Sequence, residues 1–181
     1  MKHPSEFLQH IQASGGFLRT NKFEVMITPP EDVTIDNDSL TRICTNVISA
    51  KIPGSSIDTK IWNQGGNHVR KMANTKMYTD LSLRFRVSED LLEKRFFDAW
   101  MSLIIDPVYH TLNYYDKYAS SVISVKPLTR VINNSNNNGF YLFYECWPIN
   151  VMDIDVSMEE ENSVAILSVD FAFRGYTYEQ E

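Results

Sequence analysis

The sequence predicts a mainly β protein, a β-sandwich or barrel flanked by one α-helix, and three observations carry that prediction. Apolar and polar residues alternate strictly over 80–87, where Leu81, Leu83, Phe85 and Val87 interleave with Asp80, Ser82, Arg84 and Arg86. The same period of two returns at 23–27 and at 165–173. Between them, 88–105 carries a wide apolar stripe at helical spacing, which must lie against a sheet or another subunit.

Taken in order, residues 5–14 set Phe7, Leu8 and Ile11 at helical spacing before Gly15-Gly16. That reads as a short helix or an arm, and 1–20 as an extension to a β domain over 21–181. Phe23, Val25 and Ile27 alternate with Lys22, Glu24 and Met26, a half-buried strand stopped by Pro29-Pro30. Residues 31–38 are polar and acidic and read as a loop. A β pattern over 43–52 ends at Pro53-Gly54. The stretch 55–76 is expected to be irregular, holding Ile57, Ile61 and Trp62 beside Gly65-Gly66, Asn67, His68, Arg70, Lys71 and Lys76. A long connection with a tryptophan and a cationic cluster is uncommon in a compact monomer. One reading is a solvated loop, and the other is an arm over 57–76 that reaches a neighbouring subunit.

Ser88 is placed to cap the helix, with Glu89 and Asp90 in its first turn against the positive end of the dipole. Leu92, Phe96, Ala99, Trp100 and Leu103 form the apolar stripe, and Asp106-Pro107 stops it. The aromatic 109–118 reads as an ordered crossing. A strand over 121–129, an Asn-rich turn at 133–139 and a strand over 140–147 ended by Pro148 form one hairpin. Residues 151–158 and 163–173 form a second, turning at Glu159-Glu160-Glu161-Asn162, with Ala165, Leu167, Val169, Phe171 and Phe173 on one face.

Composition narrows the function. At 181 residues the chain fits one domain. Its hydrophobic share of 43% supports a core, and 12% aromatics suit β packing and interfaces. A net charge of −6 argues against a surface that grips phosphates, while DNA sliding through an acidic channel stays compatible with it. Met1-Lys2-His3-Pro4-Ser5-Glu6 has no apolar signal core, and no apolar run approaches the roughly 18 residues of a membrane helix, so a cytosolic origin without membrane insertion is expected. Cys44 and Cys146 stand alone and read as reduced, buried thiols.

Catalytic signals are missing. His3, His10, His68 and His110 have no metal-ligand spacing, neither glycine pair is followed by the Lys and Ser/Thr of a phosphate loop, and there is no GxSxG elbow. The three adjacent glutamates at 159–161 read as a solvated loop tip. Asp153 and Asp155, two apart in an expected strand, share a face but lack the further oxygen ligands of a calcium site, and acidic lining of an assembly surface explains them better. Trp100 on the stripe reads as core, and Trp62 in a polar segment reads as core or interface. The sequence therefore describes a structural subunit and no enzyme, with no cofactor and no metal.

In this order, the segments resemble the tail tube proteins of contractile-tailed bacteriophages. The resemblance runs from Asn21 to Tyr176. It begins with Asn21-Lys22-Phe23-Glu24-Val25, continues through 44–54 and the arm at 57–73, and takes in Asp80-Leu81-Ser82-Leu83-Arg84-Phe85-Arg86-Val87 and Phe97-Asp98-Ala99-Trp100. Its most distinctive pieces are Glu145-Cys146-Trp147-Pro148-Ile149-Asn150-Val151 and Val169-Asp170-Phe171-Ala172-Phe173. The residues before Asn21 and the acidic loop at 31–39 depart from the compact family form.

The resemblance implies a β-sandwich or barrel with one helix on its flank. It implies homo-hexameric rings whose inner sheets join into one barrel, stacking into a hollow tube inside a contractile sheath. Baseplate, tail terminator and tape measure proteins would be partners, with DNA passing through the lumen without tight binding. The location would be the virion, after assembly in the host cytoplasm. Because no further module follows Tyr176, the bulk tube subunit is favoured over a tube-initiator or baseplate ring or a type VI secretion-like tube subunit. On this reading Ile57, Ile61, Trp62, Arg70 and Lys71 form the inter-subunit contact, and Asp80, Asp153, Asp155 and Asp170 face a lumen that is net negative or mixed. A monomeric ligand-binding β-barrel using the aromatics of 109–118 as its pocket is the alternative of another class; a small hydrolase has no nucleophile and base to support it.

Overall fold

A computed structural model describes residues 9, 20–63, 65, 69–128, 139–156 and 164–180. The helix expected at 5–14, the tip of the Asn-rich turn and the glutamate turn at 159–162 lie outside the described residues, apart from Gln9. The chain is mainly β and antiparallel throughout. In chain order its elements are β1 (Phe23–Thr28), α1 (Asn37–Thr45), β2 (Val47–Lys51), β3 (Ser55–Trp62), β4 (Arg70–Tyr78), β5 (Leu81–Arg86), α2 (Leu92–Ile104), α3 (Tyr115–Tyr118), β6 (Ser121–Pro127), β7 (Gly139–Val151), β8 (Ile166–Ala172) and β9 (Gly175–Gln180).

The long strand β7 organises the body. Its first half pairs with β6 and β9, and its second half pairs with β8. Two four-stranded halves result, β1-β6-β7-β9 and β7-β8-β5-β2, joined through β7. The turning point is a bulge at Glu145, whose backbone takes a left-handed φ of 53°, and across it Ser121 pairs with Cys146 while Val122 pairs with Tyr144. A bulge bends and twists its strand, so one strand can serve two differently directed sheets. Pro148 does not end the strand as expected. It lies inside β7 beside a second irregularity between Pro148 and Asn150, where a missing N–H is tolerated. Among the described residues the sheet does not close on itself: β1 and β2 are the ends of the strand path, so of sandwich and barrel the open arrangement is the one adopted.

The core fills the space between the two halves. Val25 and Ile27 of β1, Leu81, Leu83 and Phe85 of β5, and Leu167, Val169 and Phe171 of β8 are all buried, as their alternation predicted, and Ile123 and Val125 of β6 and Phe143 of β7 are buried with them. Val87, Ala165 and Phe173, at the strand ends, are half-buried. Burial of each large side chain contributes about 1.5–3 kcal/mol.

The flanking helix α2 closes one side, and its details depart from expectation. Ser88 is not its cap; residue 91 occupies that position with a left-handed backbone (φ 51°) and makes no side-chain cap bond. Ser88 instead donates through its N–H and hydroxyl to the carboxylate of Glu93, at 2.9 and 2.7 Å, and Asn46 Nδ2 donates to the same carboxylate at 2.7 Å. Glu93 is thereby fully buried yet satisfied, and it ties the end of α1 to the start of α2. The buried face of α2 is Phe96, Phe97, Trp100 and Ile104, while Ala99 is exposed, a rotation of the expected stripe. Phe97 packs on Phe85 and Phe171 with ring centroids 5.1 and 5.8 Å apart, and Trp100 Nε1 donates to the Tyr118 carbonyl at 3.1 Å.

Residues 43–45, expected to be β, complete α1. Asp36 caps that helix by accepting from Ser39 N at 3.0 Å, and Leu40, Ile43 and Cys44 turn toward the core. The second hairpin is shorter than expected, because 152–156 have no regular structure after β7 ends at Val151. A final strand, β9, was not anticipated.

Candidate assembly surfaces

The segment 55–78 is an antiparallel ribbon rather than an irregular connection. Strands β3 and β4 pair with each other and with no other strand among the described residues. They continue β2 and β5 outward past a hinge, where Thr79 N donates to Gly54 O at 3.1 Å and Gly54 N donates to the Thr79 hydroxyl at 2.9 Å. Every residue of both strands except Tyr78 is exposed. Tyr78 anchors the base against Phe173 and Tyr176, with centroids 5.5 and 5.4 Å away. From there β3, of 8 residues, runs outward for roughly 25 Å at the usual rise of a strand.

All five expected contact residues lie on this ribbon, and the register sorts them. Directly opposed residues share a face, so Ile57 with Lys76 and Ile61 with Lys71 point one way, while Trp62 with Arg70 and Lys60 with Met72 point the other. Sequence reasoning named Ile57, Ile61, Trp62, Arg70 and Lys71 but missed Met72 and Met77, which were hidden in a polar context. The segment carries four cations and one anion in a chain of net charge −6, so the rest of the chain is more acidic still.

The four expected lumen acids are not brought onto one strand face. Asp80 is exposed between β4 and β5, and Asp153 and Asp155 are exposed in the irregular stretch after β7. Only Asp170 sits in a strand, on the outward face of β8, where it accepts from the hydroxyl of Ser82 and from Asn150 Nδ2. That face, across β2, β5 and β8, also carries Lys51, Ser49, Arg84, Arg86 and Ser168, so it holds three cations beside the one acid Asp170 and is net basic.

The aromatics of 109–118 do not form a pocket. Tyr109 and Tyr114 are 78% and 82% exposed, and Tyr118 alone is buried, under Trp147. A concavity of about 500 Å³ lies elsewhere, between β1 and α1, lined by Val25, Leu40, Cys44 and Val47 among others. Both thiols are free, and burial pushes them up, Cys146 to about 12, so neither is a ready nucleophile. Arg174 and Glu145 pair at 2.7 Å beside the bulge, and the guanidinium holds that carboxyl below its ordinary value. None of this assembles a reactive centre among the described residues.

A sequence model of the phage tail tube protein family matches residues 18–179, nearly the whole described body. The chain belongs to this family. The tail tube protein is accordingly a structural subunit and not an enzyme. No curated protein sequence matches it. Among solved structures, a chain of the sheath–tube complex of an extracellular contractile injection system, PVC, in its extended state superimposes with a TM-score of 0.63 at 14% identity, covering 100% of both chains. Chains of the tube-terminating cap and of the baseplate of the anti-feeding prophage give TM-scores of 0.61 and 0.59. They are 14% and 11% identical, covering 91% and 89% of this tail tube protein and 92% and 94% of those chains. At such identities the likeness is one of fold.

Proposed function

We propose that this tail tube protein closes into hexameric rings that stack, through the β3–β4 ribbon, into the inner tube of a contractile tail, and that the tube conducts DNA into the host. The carrying observation is the ribbon: a polypeptide arm with its apolar side chains in solvent, on a chain whose family builds tubes. The likeness to chains of a sheath–tube complex, a baseplate and a tube-terminating cap supports a surrounding sheath and baseplate and tail terminator proteins at the tube ends as partners, and a tape measure protein inside belongs to the same proposal.

The strand directions support ring closure. In each four-stranded half neighbouring strands are antiparallel, so its two edge strands oppose one another. A copy placed edge to edge in the same orientation then continues the antiparallel pattern, and head-to-tail repetition removes exposed edges by closing. In this reading the face bearing Asp170, Lys51, Arg84 and Arg86 faces the channel with Asp80 at its margin, and Asp153 and Asp155 lie off the strands. Asp170 and Asp80 offset only part of the charge of Lys51, Arg84 and Arg86, which leaves this face more basic than the net negative or mixed lumen expected from the sequence.

The likeness to baseplate and cap chains supports a second reading, a single ring at a tube end. Size-exclusion chromatography followed by negative-stain microscopy separates these. Long tubes establish the bulk subunit, isolated rings establish the end ring, and a monomer at every concentration overturns both.

A further inference from the structure

Deepening the assembly reading above, on which its place in the channel rests, we infer that the outward face of β2, β5 and β8 is a contact surface for the phosphate backbone of duplex DNA, with Lys51, Arg84 and Arg86 as its cations. The chain as a whole has a net charge of −6, so this local excess of positive charge runs against the overall balance. All three cations are exposed, and none has a side-chain hydrogen bond or ion pair among the described residues. The acid of the same face is already engaged, because Asp170 accepts from the Ser82 hydroxyl and from Asn150 Nδ2.

Strand register fixes the pattern. Directly opposed residues share a face, so Ser49, Arg84 and Ser168 form one row across the three strands. Lys51, Ser82, Asp170 and Asn150 form the next row, which extends onto β7. Arg84 and Arg86 lie about 7 Å apart along β5, and Lys51 stands diagonally from Arg84 at about 7–8 Å. Ser49 and Ser168 set a hydroxyl on either side of Arg84, and neither hydroxyl is bonded among the described residues. Guanidinium, ammonium and hydroxyl donors are the groups that contact phosphate oxygens. A folded protein is the poorer occupant, since protein interfaces centre on apolar residues and both of these rows are polar at every position. Three contacts per copy hold a duplex weakly and carry no sequence information, which suits a molecule that has to pass.

The test measures fluorescence anisotropy of two labelled duplexes of unrelated sequence, titrated at low salt with the subunit fraction of the full-length chain. Arg84→Gln and Arg86→Gln are compared with Arg95→Gln and Lys117→Gln, which remove equal charge from α2 and α3. All four replace exposed side chains, so folding is expected to survive, and circular dichroism checks it. Both duplexes should bind equally, with log K falling against log salt at a slope of about −2.7 for three contacts. Arg84→Gln and Arg86→Gln should each reduce that slope by about 0.9, while Arg95→Gln and Lys117→Gln leave it unchanged. Equal losses in all four variants would show attraction to charge anywhere on the chain and overturn the site. A poly-glutamate peptide that binds as tightly as the duplexes overturns the choice of a phosphate partner, and no binding at low salt overturns the surface outright. Arg84-dependent binding by a chain that never assembles upholds the contact surface and sinks only its place in a channel.

Discussion

Strand β5 and the ribbon that leads into it are neighbours in one run of chain, yet they solve opposite problems. In β5, Leu81, Leu83 and Phe85 all turn to one side and are completely buried, while Ser82, Arg84 and Arg86 turn to the other. In β3 and β4 the apolar residues turn both ways and none is buried. Alternation thus marks a strand that completes its burial within its own chain. Its loss, in a segment that still pairs as a strand, leaves apolar side chains that the chain itself does not cover, and the proposed assembly is what would cover them.

That difference predicts a graded set of effects on folding, largest in the body. Phe85→Ala removes a ring packed on Phe97, and it should cost about 3–5 kcal/mol, read as a fall in the denaturant midpoint. Should Phe85→Ala leave the midpoint unchanged, β5 is not the centre of the core.

Glu93→Gln should follow, at about 1.5–3 kcal/mol, since Ser88 and Asn46 lose a charged acceptor. Burial pushes the Glu93 carboxyl up, but the hydrogen bonds from Ser88 and Asn46 outweigh it and leave the group below the ordinary value of 4.5. A carboxyl lowered in the folded state adds stability that is present above that pH and is lost as pH falls through the native value. Wild type should therefore lose stability below about pH 4.5 more steeply than Glu93→Gln, and parallel acid titrations would refute this role.

Asp36→Ala removes the cap of α1 and should cost about 1 kcal/mol in a thermal melt. Asp90→Asn, which breaks an exposed 3.3 Å pair with Arg42, should cost under about 1 kcal/mol, and a larger loss would show that the pair is more than a surface contact.

The same contrast explains what the sequence showed. The β5, β8 and β1 faces were legible because one period carried one buried side. The ribbon was legible as a segment apart from the core, through Trp62 and its cations, but not as a strand pair. Its two-sided apolar pattern and the bulge between Ile57 and Thr59 erase the period of two. Helix α1 was hidden because Ile43, Cys44 and Thr45 run straight into the β-branched start of β2, although Asp36 with Leu40, Ile43 and Cys44 spaced beyond it is a readable cap and stripe. Strand β9 was also readable, with Tyr176 and Tyr178 alternating with Thr177 and Glu179 after Gly175. Glu93 gave no signal, because a buried carboxylate depends on Asn46, which is distant in sequence.

If the ribbon belongs to the assembly and not to the fold, sedimentation of Trp62→Ala beside wild type will separate the two. Trp62→Ala should then give a circular dichroism melt like that of wild type but a population that sediments as unassembled subunits, because an aromatic anchor worth about 2 kcal/mol is lost at every contact. A Trp62→Ala chain that sediments as wild-type tubes, or one that no longer folds, would contradict it.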